Sequence, residues 1–211
     1  MRPLLITFEG LDGSGKSTQM RRVSEWLQQS GVDSVVTHEP GGTPIGERIR
    51  EIFLDHRAEP MEPLVELLLV FASRRQHLAD VIEPALASGR HVLCDRFTDS
   101  SYAYQGAARG LPLDLVDRVD EIATGRRRPD RTILFDLPAE IARERGGLRR
   151  QGGGPEADRL DREALSFYEK VRQGFLDRST REPDRFSVVR SDLPLDETFE
   201  AVRRALADLV T

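Results

Sequence analysis

Lys16 is one of only two lysines among the 31 Lys and Arg residues of this 211-residue chain, and it stands in Gly10-Leu11-Asp12-Gly13-Ser14-Gly15-Lys16-Ser17. That spacing is a complete G-x-x-x-x-G-K-S phosphate-binding loop. Arginine meets almost every other need for a cation here, so a lysine at this position answers a requirement for a compact ammonium. Gly10, Gly13 and Gly15 can take positive φ and turn backbone N–H groups inward around phosphate oxygens, at the positive end of a helix dipole. Lys16 then reaches the β- and γ-phosphates of a nucleoside triphosphate. Ser17 offers a hydroxyl to Mg²⁺, an ion that keeps several waters and is shared with the nucleotide phosphates. Residues 10–18, closing on Thr18, are the expected triphosphate site.

A glycine-rich turn that merely caps a helix is the plain alternative, and the flanks argue against it. Leu4–Phe8 reads as a strand, and Ser17 to Ser30 reads as a helix with Met20, Val23 and Leu27 on one face. Four further clusters carry chemistry-bearing residues. Asp95-Arg96 ends an apolar run beside the expected mouth of the loop; the pair is either a strand-end salt bridge or a carboxylate for Mg²⁺ beside a guanidinium for a second phosphate. Glu39-Pro40-Gly41-Gly42-Thr43 is a turn followed by a helix that Thr43-Pro44 would open, with Glu47, Arg48 and Arg50 inside it. Phe71 to His77 ends a long apolar helix face with Arg74 and Arg75, a pattern that alone means core plus surface more often than a base pocket. Arg145 to Pro155, rich in glycine and arginine, is either a solvated loop or a lid that brings arginines onto phosphates.

The elements that must position these residues alternate. Apolar runs at Leu4–Phe8, Ser34–Thr37, His91–Cys94, Thr132–Phe135 and Phe186–Val189 predict strands. Helices are predicted near 17–30, 45–54, 62–87, 113–124, 138–145, 161–178 and 195–210. Such alternation implies a five-stranded parallel sheet wrapped on both faces, with its ligand crevice at the carboxyl ends of the strands. The length fits one domain, 1–211, with a lid insert at about 145–158. A net charge of −5 and a pI near 5.5 disfavour nucleic acid and membrane surfaces as partners. The one cysteine, Cys94, makes no internal disulfide, and nothing approaches a membrane span or a secretory leader; a soluble protein of the cytoplasm is expected.

FEGLDGSGKST at 8–18, HEPGGTP at 38–44, FASRRQH at 71–77, CDRFTDSSYAYQG at 94–106 and DRLD at 158–161 occur in order and together resemble the bacterial thymidylate kinase family. The resemblance runs from about residue 3 to residue 200. It implies a P-loop nucleoside monophosphate kinase that moves the γ-phosphoryl of ATP onto dTMP, with Mg²⁺ as cofactor and a homodimer as the assembly. The acceptor is a phosphate oxygen largely ionised near neutrality, so alignment and charge neutralisation replace a strong general base. By the same resemblance Asp12 approaches the acceptor's sugar and phosphate, Arg50 and Arg96 clamp its phosphate, and Arg74 meets a thymine carbonyl. Ser101 and Gln105 line the base edge, Tyr104 lies against the deoxyribose, and Glu39 is an acid near the acceptor.

The chain also departs from the family pattern. His38 stands where many members have arginine before Glu-Pro-Gly-Gly, replacing a permanent cation by one that titrates near neutrality. One helical turn before Arg74, where many members stack a phenylalanine on the base, stands Val70, with Phe71 next to it; either Phe71 turns towards the base or the stacking is weaker. The phosphate loop holds no arginine, and members of that kind carry catalytic arginines in the lid. Arg149, Arg150 and Arg159 are the candidates, Arg159 also as an ATP contact, with Arg145 behind them. A kinase for another monophosphate or for a deoxynucleoside is the rival enzyme, against which Asp95-Arg96 argues for an acceptor already bearing phosphate. A GTP switch would need an Asn/Thr-Lys-x-Asp motif, and the only other lysine, Lys170, is not in one.

Overall fold

The computed structural model describes residues 2–55, 60–151 and 157–209, with backbone alone for 149–151. Five strands, β1 (Leu5–Gly10), β2 (Ser34–His38), β3 (His91–Asp95), β4 (Arg131–Asp136) and β5 (Phe186–Arg190), form one sheet in the order β2-β3-β1-β4-β5, all pairs parallel. From β1 the chain crosses to the edge strand β2, returns to β3 beside β1, and then passes to β4 and β5 on the other side, so the crevice opens where β1 and β3 end together. Their register sets Phe8 opposite Asp95, bringing the phosphate loop and Asp95-Arg96 to one edge.

Side-chain alternation along β1 divides the core. Ile6 and Phe8 pack against α1 (Lys16–Gln29) and the later α9 (Leu195–Ala205), with Met20, Val23, Leu27 and Val202. Leu5, Thr7 and Glu9 take the opposite face, where Leu5 joins Leu78, Ile82 and Val92. Helix α2 (Pro44–Leu54) opens as Thr43-Pro44 predicts: the Thr43 hydroxyl accepts from the Gly46 N–H at 3.0 Å and proline fills the first turn.

Three elements differ from the sequence expectation. The single helix expected over 62–87 is α3 (Pro63–His77), a π-helical turn at Leu78–Ile82, and α4 (Glu83–Ala87). Pro84 has no N–H to continue the ladder, and the widened turn absorbs the break. Residues between Asp95 and Leu113, left without an element by sequence, form the short α5 (Thr98–Ser101) running into a π-helical segment, Tyr102–Ala108, ahead of α6 (Leu113–Thr124). α7 (Ala139–Gln151) continues through Gly146-Gly147, where a mobile segment is expected. Ala139, Ala142 and Gly146 are buried on it, although each glycine costs about 1 kcal/mol of helix propensity. Of the expected lid, 145–151 is thus helix, and 152–156 lies outside the described residues.

α8 (Leu165–Arg181) follows a single 3₁₀ turn at Leu160–Arg162 and lies directly on the π-helical segment. A Cβ on Gly174 would come within 2.7 Å of the Ala107 Cβ and 3.0 Å of the Ala103 Cα. Gly174→Ala is expected to cost about 1–3 kcal/mol by overpacking and to lower Tm by several degrees. A thermal melt within one degree of the parent would show that this contact does not set the α8 position.

Candidate active site

Glycine conformation builds the phosphate loop. Gly13 and Gly15 sit at φ +85° each, and a Cβ on Gly13 would collide with the carbonyl oxygen of Ala142, so α7 packs straight onto the loop. Lys16 is buried, and its Nζ donates to the carbonyls of Gly10 at 3.1 Å and Leu11 at 2.9 Å, with Asp12 Oδ1 at 3.9 Å. Burial, then the charge of Arg96, pushes the Lys16 ammonium below its ordinary range, while Asp12, Asp95 and Glu9 pull it back. The Ser17 hydroxyl donates to Asp95 Oδ2 at 2.8 Å. Asp95 Oδ1 is buried with no hydrogen-bond partner. An orphaned carboxylate oxygen beside a serine hydroxyl is a hard-oxygen donor set of the kind Mg²⁺ takes.

A pocket of about 90 Å³ opens next to that loop, with Asp12 in its lining. Arg74, on α3, is buried and engaged through all three nitrogens: its Nε donates to Glu39 Oε2 at 2.7 Å, Nη1 to Ser101 Oγ at 3.0 Å, and Nη2 to the Phe97 carbonyl at 2.9 Å. Glu39 is held in turn by His77 Nδ1 at 2.9 Å and precedes a cis Pro40. Arg96 crosses the pocket wall, with Nη2 donating to Asp12 Oδ1 at 2.9 Å, Nη1 donating to Ser100 Oγ at 3.1 Å, and Cζ 5.1 Å from the centre of the Tyr104 ring. Burial works against its charge, but Asp12, Tyr104, Asp95 and Glu9 overcome it and keep Arg96 protonated. Arg50 donates to the Pro40 carbonyl at 3.0 Å, and Tyr104 and Gln105 complete the lining.

The fold therefore gathers Asp12, Glu39, Arg50, Arg74, Arg96, Ser101, Tyr104 and Gln105 around one pocket. Two expected residues are placed elsewhere. Phe71 is packed in the core beneath Arg74, whose Cζ lies 4.4 Å above its ring, and Val70 lines the pocket instead. Helical phase decides this: Glu66, Val70 and Arg74 repeat every four residues on the face towards the pocket. Arg159 donates to Glu66 Oε1 and, through Nε at 3.1 Å, to the Phe53 carbonyl, partners outside residues 10–18. Arg145 donates to the Ser191 carbonyl at 2.8 Å. The side chains of Arg149 and Arg150 lie outside the described residues. His38 pairs with Glu47 at 3.0 Å on the rim.

Sequence reasoning missed three carboxylates and a serine. Glu66, inside an apolar helix run, is buried and accepts from Gln105 Nε2 at 3.3 Å and Arg109 Nε at 3.1 Å as well as from Arg159. Asp158 lines the pocket next to Leu160, its carboxyl raised by burial and by neighbouring Asp161 and Asp12. Glu9 accepts from the Phe97 N–H at 2.8 Å, the Ser100 N–H at 3.3 Å and the Ser100 hydroxyl at 2.6 Å. An acid inside an otherwise apolar strand was the signal available for Glu9. For Ser100 there was none.

A phosphate-binding loop, a serine–aspartate pair of hard oxygens beside it, and an arginine-walled pocket sharing Asp12 with the loop fit a P-loop phosphotransferase. The thymidylate kinase family model matches residues 8–202, and the chain belongs to that family. It is 49% identical over 189 residues to a thymidylate kinase of Ectopseudomonas mendocina, covering 90% of this chain and 88% of that one. A Pseudomonas fluorescens thymidylate kinase is 46% identical over 210 residues, covering 100% and 98%. The crystal structure of the Ehrlichia chaffeensis thymidylate kinase superposes with a TM-score of 0.77 at 32% identity, covering 98% of this chain and 99% of the other.

Burial, reinforced by Asp99, pushes the Glu9 carboxyl up from 4.5 to about 7, against the pull of Arg96, Ser100 and the Phe97 N–H. The folded protein thus holds a proton there that the unfolded chain releases, and this group's contribution to stability is lost as pH rises from about 4.5 to 7. Glu9→Gln is expected to match the parent Tm near pH 4.5 and to exceed it at pH 8, by a free energy on the order of a few kcal/mol. A Gln variant that melts lower at pH 8 would contradict that sign.

Proposed function

We propose that this chain transfers the γ-phosphoryl group of ATP to dTMP, giving dTDP and ADP in the synthesis of dTTP. The observation that carries the reading is the 2.9 Å contact of Arg96 with Asp12, which makes the triphosphate loop and the acceptor pocket share a wall. Family membership names the acceptor. Residues 10–18 hold the ATP phosphates, with Lys16 across the transferring group. Ser17 and Asp95 hold Mg²⁺, which when bound neutralises charge on the phosphate oxygens. Arg96 and Arg50 clamp the dTMP phosphate, Arg74, Ser101 and Gln105 meet the edge of thymine, Val70 contacts its face, and Tyr104 lies against the deoxyribose. Glu39 serves by holding Arg74 in place.

In the same reading the chain is one domain, and its lid, about 145–158, closes over the phosphates with Arg149 and Arg150. Arg159 reaches ATP only by giving up Glu66. The assembly is a homodimer, supported by exposed Val65 and Leu68 on α3 beside Ile45 and Ile52 on α2. No described helix is long and apolar enough to cross a membrane, and a cytoplasmic protein is proposed.

ADP release with Mg·ATP is the direct test, run against dTMP, dUMP, dCMP, dGMP, AMP and thymidine. Turnover on dTMP above the others is expected, abolished by Lys16→Ala; activity on thymidine or AMP without dTMP would overturn the assignment. Arg149→Ala or Arg150→Ala should lower kcat at least about tenfold, or 1.4 kcal/mol, with little change in the KM for dTMP. Normal turnover in both would remove the lid arginines from catalysis.

A further inference from the structure

Arg96 is a non-glycine residue at φ 72°, a left-handed conformation that costs about 1–2 kcal/mol and persists only where the surroundings enforce it. Its own backbone is pinned on both sides: the Arg96 N–H donates to the Phe8 carbonyl at 3.0 Å, and the Cys94 thiol donates to the Arg96 carbonyl at 3.0 Å. The next peptide N–H, that of Phe97, goes to Glu9 Oε1. Glu9 Oε2 then takes the only proton of the Ser100 hydroxyl, so that hydroxyl has lone pairs alone to offer Arg96 Nη1. Both the backbone and the guanidinium of Arg96 are thus referred to one carboxylate.

Glu9 is wholly buried and does not line the acceptor pocket. Asp99, which faces it from α5, is kept ionised by Arg185 and Arg178 although burial opposes its charge, and that charge adds to burial in pushing the Glu9 carboxyl up to about 7; above that pH Glu9 is an anion with no cation paired to it among the described residues. A neutral glutamine of the same shape would be cheaper to bury.

We propose that Glu9 is a positioning residue for the acceptor phosphate, acting through Ser100 and the Phe97 N–H on Arg96. This rests on Arg96 holding that phosphate. Glu9 touches no substrate; it sets where the guanidinium points, and the protein gives up stability to keep it. A purely structural cap on α5 would lower stability when removed and leave substrate affinities in proportion.

The test is steady-state kinetics of Glu9→Gln, Ser100→Ala, Arg96→Ala and the Glu9→Gln/Arg96→Ala double variant, varying dTMP at saturating Mg·ATP and then ATP at saturating dTMP. Glu9→Gln keeps shape and fold, and Glu9→Ala, where it folds, is expected to be the more severe. Glu9→Gln and Ser100→Ala should each raise the KM for dTMP about tenfold, the scale of one charge-assisted hydrogen bond, with the KM for ATP within about twofold. In the Arg96→Ala background the Glu9 effect should vanish. A normal dTMP KM in Arg96→Ala would reject the phosphate clamp itself. An impaired Arg96→Ala with an additive Glu9 effect, or a Glu9→Gln variant with parental dTMP kinetics, would overturn the positioning role alone.

Discussion

The parallel pairing of β1 with β3 is the constraint on which the site depends. It sets Phe8 against Asp95 in register, so two loops distant in sequence leave the sheet side by side. From one comes the glycine cradle with Lys16 and Ser17, and from the other Asp95 and Arg96. Ser17 to Asp95 at 2.8 Å and Arg96 to Asp12 at 2.9 Å are the cross-links that follow. A slip of one residue in that register would turn every side chain of β1 to the wrong face and sever both.

Around this edge the protein buries more charge than a core normally holds, and it does so in linked sets. Arg74 has Glu39, which has His77; Arg96 has Asp12; Asp99 has Arg178 and Arg185. Each pair is costly to desolvate and still costlier to break, which favours rigidity of the groups that face substrate. Among the described residues Glu9 and Asp95 Oδ1 are exceptions, one a carboxyl that burial raises to about 7 with no cation paired to it and the other an acceptor without a donor. Local rules are broken where the chemistry is placed, as expected of functional sites.

Much of this is legible in the sequence. Strand and helix alternation names the doubly wound sheet, because parallel strands need crossover helices. The phosphate loop is readable because its function lies in backbone conformation and spacing within one short segment. The acceptor residues were legible only through family resemblance, since Arg50, Arg74, Ser101 and Gln105 come from separate elements and share no local pattern. Phe71 and Val70 show the limit of adjacency: neighbours on a helix face about 100° apart, and only the packing of α3 decides which one meets the pocket. The segment 98–108 was opaque because widened helical turns have no hydrophobic period to detect.

What the sequence by itself determined is therefore the class of chemistry: a phosphate-binding loop and membership of the thymidylate kinase family. The loop follows from residue types at fixed short spacing, where covalent connection already brings the groups together, and the acceptor residues from family resemblance alone. The tertiary structure alone decided which charges are partners. Glu9 with Ser100, Glu66 with Arg159, and Asp12 with Arg96 are separated by 91, 93 and 84 residues. Over such separations only the packed fold sets distance and burial, and those two quantities decide whether a charge binds substrate, orients a neighbour or merely holds the fold.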